Sequence, residues 1–153
     1  MTKRLDFISA SPRAMEILLE QENNLSQQFR GDHSVSLTIW ELVKLRISQI
    51  NQCAYCIDMH SKDALKLGES PERIVGLSAW LEMPLYTELE RSALAWAELI
   101  TSGQPVAEES YQHALDNFGE QGLVDLTIAV NAINSWNRIA KTFKPEVGSY
   151  KPN

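Results

Sequence analysis

The sequence predicts an all-α fold, a single domain of about seven helices over residues 1–153. Three observations carry that expectation. Apolar residues recur at helical spacing through most of the chain, capping signals bracket those stretches, and no segment alternates apolar and polar residues as a half-buried strand would. With 153 residues, 44% of them hydrophobic and 22% charged, the chain is long enough to bury a core without metal or disulfide staples, and its composition argues against global disorder.

Taken in order, Ser11 and Pro12 read as an N-cap and a first-turn proline, opening a helix through Ala14, Ile17 and Leu18 toward Leu25. The polar stretch 27–36 reads as a loop. A second helix spans about 37–50, with Leu42, Leu45 and Ile50 alternating with Lys44, Arg46 and Gln49. Asn51 and Gln52 break the pattern, and a third helix runs from Cys53 to a C-terminal cap at Gly68. Ser70 and Pro71 open a fourth, carrying Ile74, Leu77 and Trp80 and stopped by Pro84. Thr87 and Glu90 form a capping box for a fifth, with Leu89, Ala93, Trp96, Ala97 and Ile100, closed by Gly103. A sixth covers about 106–117. The seventh covers about 122–143, with Leu126, Val130, Ile133, Trp136 and Ile139 or Ala140 on its apolar face. Pro145 ends it, and the last residues are expected to fray.

The formal net charge is −6. Such a chain lacks the basic stripe that neutralises phosphates, so nucleic acid and anionic membrane surfaces are poor partners. No apolar run is long enough to span a bilayer, and the opening segment MTKRLDFISASPRAM holds no apolar stretch of signal-peptide length. The expected location is the cytoplasm. Two cysteines three residues apart, in a reducing compartment, point to catalysis or metal binding rather than to a structural staple.

The informative segment is ELVKLRISQINQCAYCIDMHSKDALKLG, from Glu41 to Gly68, within a core motif of about 37–68. On one helix Cys53, Cys56 and His60 fall within roughly 60° of one another, so all three face one spot. Both thiols lie in the first turn, where free N–H groups and the helix dipole favour a thiolate. Glu41 would lie roughly 18 Å from Cys53 in one unbroken helix. A bend at Asn51-Gln52 brings it back and completes a set of two thiols, an imidazole and a carboxylate, the parts of an activated nucleophile. Other readings of the same residues are two small hydrophobes packed in a core, a metal site with Cys53, Cys56 and His60 as ligands, and Glu41 as a solvated helix residue.

The set Glu41, Cys53-Ala54-Tyr55-Cys56 and His60, in the frame LVKLRISQINQCAYCIDMHSKDALKLGE, resembles the core motif of the AhpD-like alkylhydroperoxidase family, within the carboxymuconolactone decarboxylase superfamily. The segments LSAWLEMPLYTELERSALAWAELIT and LVDLTIAVNAINSWNRIAKTF extend the likeness to about residues 5–145. The resemblance implies an AhpD-like helical fold, homo-oligomers (trimers or hexamers) and hydroperoxide reduction with no metal or organic cofactor. By position, Cys56 matches the attacking cysteine, Cys53 the resolving one, and Glu41 and His60 the proton relay. The electron donor would be a thiol reductant, a protein or a lipoyl-type dithiol. Two positions depart from the pattern. Tyr55 stands where the best-studied members have histidine, and Gln52 where many relatives have glycine. The decarboxylase branch lacks the cysteine pair, which argues against that activity.

Outside this segment, His33 and His113 read as solvated. Trp40, Trp80, Trp96 and Trp136 read as core or subunit contacts, and Trp136 and Asn137 as residues able to line the site. No nucleotide-binding glycine motif or HExxH is present. The function expected is therefore a CxxC-dependent peroxidase. The alternatives are a disulfide oxidoreductase or redox sensor without peroxidase activity, and a metal-binding structural protein.

Overall fold

A computed structural model describes residues 4–153. Met1, Thr2 and Lys3, which belong to the segment read above for a leader, lie outside it. Among the described residues there are seven α-helices, one 3₁₀ turn and no strand. They are α1 (Phe7–Ala10), α2 (Pro12–Arg30), α3 (Leu37–Ile50), α4 (Ala54–Lys66), α5 (Pro71–Gly76), α6 (Glu88–Ser102) and α7 (Glu108–Phe143), with the 3₁₀ turn Leu77–Ala79 after α5. No helix of this structure is long and apolar enough to cross a membrane.

The central element is α3. Its predicted polar positions do not face solvent. Residues 39–45 are all buried, Glu41 and Lys44 among them, because α4, α6 and α7 all pack against it. The larger core joins α2, α3, α6 and α7 through Phe29, Trp40, Val43, Ile47, Trp96, Leu126, Val130 and Ile133. A second cluster packs Leu42 and Leu45 against Leu77, Trp80, Tyr86 and Leu94.

Local chemistry explains most boundaries. The Thr87–Glu90 capping box forms as expected, and Gly103 closes α6 in the left-handed region. Four expectations need correction. The first long helix continues past Leu25 to Arg30, because Leu25 and Phe29 keep an apolar face in register, while Ile17 is half exposed. The fourth helix tightens into a 3₁₀ turn at Leu77, which leaves Trp80 buried beyond its end. The two helices expected over 106–143 run on as one element, kinked at Gly119, whose φ of 69° with ψ of 175° is a combination essentially restricted to glycine. The C-terminal tail is also tied down. The Tyr150 hydroxyl donates to Asp63 Oδ1 (2.7 Å), and Lys62 Nζ donates to the Tyr150 carbonyl (3.0 Å).

Candidate active site

The site begins at the break between α3 and α4. Asn51 ends α3, and Gln52 takes a φ of 54°, left-handed for a residue with a side chain. That one residue reverses the chain, so α4 packs back along α3. Side chains of α7 hold the turn. Asn51 Nδ2 donates to the Oδ1 atoms of Asn134 and Asn137 (both 2.9 Å), and Asn137 Nδ2 donates to Ser48 Oγ (3.0 Å). Asn137 therefore anchors the bend, whereas Trp136 does line the cavity at the site.

Cys53 is the N-cap of α4 and Cys56 its third residue. The backbone N–H of Cys56 points at the Cys53 sulfur (3.4 Å), and the two sulfurs are joined as a disulfide. Bonded to each other, they are not available as thiolate ligands for a metal in this state. Both are almost fully buried, and they face different spaces.

Cys56 opens into a cavity of about 370 Å³ shared with His60, Glu22, Lys44 and Asp63. Its walls are otherwise apolar or aromatic, among them Phe7, Leu19, Met59, Ile133 and Trp136. Cys53 opens instead into a larger space of about 960 Å³.

The bend brings Glu41 to His60. His60 is one turn beyond Cys56 on α4 and buried. Its Nδ1 lies 3.1 Å from Glu41 Oε2, and Lys44 Nζ donates to Glu41 Oε1 at 2.5 Å. With the Nδ1 proton donated to Glu41, Nε2 is left free to accept one. Burial alone would raise the Glu41 carboxyl. The hydrogen bond from His60 and the Lys44 charge outweigh it and hold the group below the usual carboxylate range, ionised. Glu41 is therefore not a solvated helix residue.

Sequence reasoning missed three groups here. Lys44 is buried with its ammonium 3.6 Å from the Trp40 ring centroid. Its signal was the Glu-x-x-Lys spacing, which puts both heads on one helix face. Glu22 reaches the cavity from α2 and accepts from Trp136 Nε1 (3.2 Å), and burial raises its carboxyl above the usual range despite nearby Lys44 and His60. Nothing in the run around Glu22 marked it. Asp63 completes a trio with Glu41 and His60 whose donor atoms lie within 4.8 Å of one another, the residues here that could converge on a cation. Lys44 already supplies positive charge to Glu41, and Asp63 is taken by Tyr150.

Away from the site, His33 is not solvated. Its side chain packs edge-on against Phe29 (5.0 Å between centroids), and its Nε2 sits 3.0 Å from Asp125 Oδ2. His113 is exposed, beside Ser92 Oγ at 3.1 Å. Trp40, Trp80 and Trp96 are core residues.

Residues 22–99, from Glu22 through the cysteine pair to α6, match the carboxymuconolactone decarboxylase family. The chain belongs to that family. Within it, the likeness is to AhpD-type members. The protein ATU0492 of Agrobacterium tumefaciens, of unknown function and described as an antioxidant defence protein AhpD on a provisional basis, shares 35% identity. It superimposes with a TM-score of 0.83 over 99% of both chains. The uncharacterised protein YdfG of Bacillus subtilis (strain 168) is 39% identical over 142 residues, 92% of this chain and 93% of its own. A peroxidase-related protein with an alkylhydroperoxidase AhpD core from Ralstonia eutropha JMP134 shares the fold at 17% identity. Its TM-score is 0.76, covering 95% of this chain and 74% of that one. The family includes enzymes, and its all-helical fold is the one predicted.

Proposed function

We propose that this family member is a thiol-dependent peroxidase that reduces hydroperoxides by cycling Cys53 and Cys56 between dithiol and disulfide. The observation that supports it best is the separation of the two sulfurs. Cys56 shares an apolar cavity of a size for a small organic hydroperoxide with a buried His60–Glu41–Lys44 chain, while Cys53 stands outside that cavity.

In the cycle, His60 takes the Cys56 proton through Nε2 while Glu41 holds the ring. The thiolate attacks the O–O bond, becomes a sulfenic acid and releases an alkoxide, which is protonated to the alcohol. Cys53 then attacks the Cys56 sulfur, expelling water and forming the disulfide. A thiol reductant restores the pair by exchange. Such cycling suits a reducing compartment, and the reading includes a cytoplasmic location. It also includes a homo-oligomer, since Leu5, Ile8, Ile17 and Leu19 are each more than half exposed near one another in sequence. Light scattering at micromolar concentration reads that directly, and a monomer removes it.

The deciding experiment mixes reduced protein with an alkyl hydroperoxide and follows it by mass spectrometry. Fast stoichiometric loss of two thiols per chain, with alcohol formed, is the expected result. Disulfide formation only with protein or small-molecule disulfides, and none with peroxide, supports a disulfide oxidoreductase instead.

A further inference from the structure

The space against Cys53 is unlike the one against Cys56. It is lined by Arg4, Lys141 and Lys144, with Glu146 the opposing charge, in a chain whose net charge is −6. All four side chains are exposed at its rim. Two of the cations are held in place. Lys141 Nζ donates to the Asn51 carbonyl at the bend (2.6 Å), and Arg4 donates to the Thr142 carbonyl. Tyr55, Ala140 and Pro145 line both spaces and so form the wall between them. The disulfide thus sits in a partition, with one sulfur on the smaller apolar cavity and the other on the larger space with the basic rim.

From this we infer that the cationic space at Cys53 is the entry for the reductant, and that it selects an anionic thiol. The inference rests on the dithiol cycle proposed above and assigns its second half. A reductant thiolate attacks the Cys53 sulfur, forming a mixed disulfide there and breaking the Cys53–Cys56 bond. Cys56 leaves as a thiolate on the cavity side and is protonated from the His60 side. A second thiol, from the same dithiol or another molecule, then attacks the reductant's sulfur. It releases Cys53 as a thiolate that takes a proton from solvent, and the reductant ends as a disulfide. Substrate and reductant need never share a mouth. A negative group on the reductant is attracted by the net positive rim, while the acidic remainder of the chain repels it elsewhere.

The test uses the oxidised protein without peroxide, so it stands or fails apart from the peroxidase reading. The probes are 2-mercaptoethanesulfonate, 2-mercaptoethanol and cysteamine, which carry a negative, a neutral and a positive group on the same two-carbon frame. Rates of disulfide opening are compared per thiolate. At low ionic strength the sulfonate is expected to react faster than the alcohol by on the order of three- to tenfold, with cysteamine slowest. The gap should close in high salt and shrink in Lys144→Gln and in Arg4→Gln. Tandem mass spectrometry of the quenched intermediate should find the adduct on Cys53. Equal rates across the three probes, a gap that both variants leave unchanged, or an adduct on Cys56 overturns the inference.

Discussion

Replacing Glu41 by glutamine tests the relay and the fold at once. From sequence alone the change would spare folding, since it keeps shape and removes one charge. The structure alters that expectation. Lys44 is only 6% exposed, and its ammonium sits 2.5 Å from the carboxylate that would be lost. Breaking one side of a buried pair commonly costs about 3–5 kcal/mol, because the remaining charge is stranded. Glu22 stands on the same cavity and interacts with Lys44, so a cost at the low end of that range, about 3 kcal/mol, is expected here. The wild-type group also makes stability depend on pH. Its folded value lies below the reference of 4.5, so its contribution is present above that pH and is lost as pH falls through the folded value. The rate effect is separable. Without the carboxylate His60 loses the partner that fixes its tautomer, and single-turnover thiol loss near pH 7 should slow by about 10²-fold. The deficit should narrow at high pH, where the thiol ionises unaided. Adding Lys44→Met removes the stranded charge and should restore much of the stability while leaving the rate low. Superimposable pH–rate profiles for wild type and Glu41→Gln would refute the relay. A double variant no more stable than the single would refute the stranded-charge argument.

Further outcomes follow from the same geometry. Cys56→Ser should abolish peroxide consumption, whereas Cys53→Ser should form one sulfenic acid, trapped by dimedone, and stall; the reverse pattern exchanges their roles. Gln52→Gly should relieve the left-handed φ of 54° and raise stability by up to about 1 kcal/mol in thermal unfolding, with thiol reactivity unchanged. A lower melting temperature would contradict it. Burial lets folded Glu22 keep its proton above the reference value of 4.5, so wild-type stability falls as pH rises through and above that value. In Glu22→Gln that decline disappears, and the stability of the variant relative to wild type should grow with pH in urea titrations from pH 4 to 8. A pH-independent difference would remove the burial argument.

The helices were legible wherever the cause of structure is local. Capping groups such as Thr87 with Glu90, and terminators such as Gly103, act within a turn of where they stand. Helical periodicity therefore found the bounds of α3 at 37 and 50. The Cys53–Cys56–His60 face was legible for the same reason, since one helix brings these residues together. Even the kinked joint was visible in part, as two helices meeting near Gly119. What one helix cannot encode is its neighbours. Lys44 and Glu41 look like a solvated face until α4, α6 and α7 close around α3. Burial then raises the cost of leaving either charge alone and makes them a pair. Glu22 carries no local mark because its role comes from a cavity assembled by α2, α3, α4 and α7. The fate of Cys53 and Cys56 also needed the third dimension. Their spacing places both sulfurs on one turn, but the wall of Tyr55, Ala140 and Pro145 gives each a different space. Sequence alone determined which groups could react. Packing decided which are shielded from water, and so which are charged, which are coupled and which can be reached.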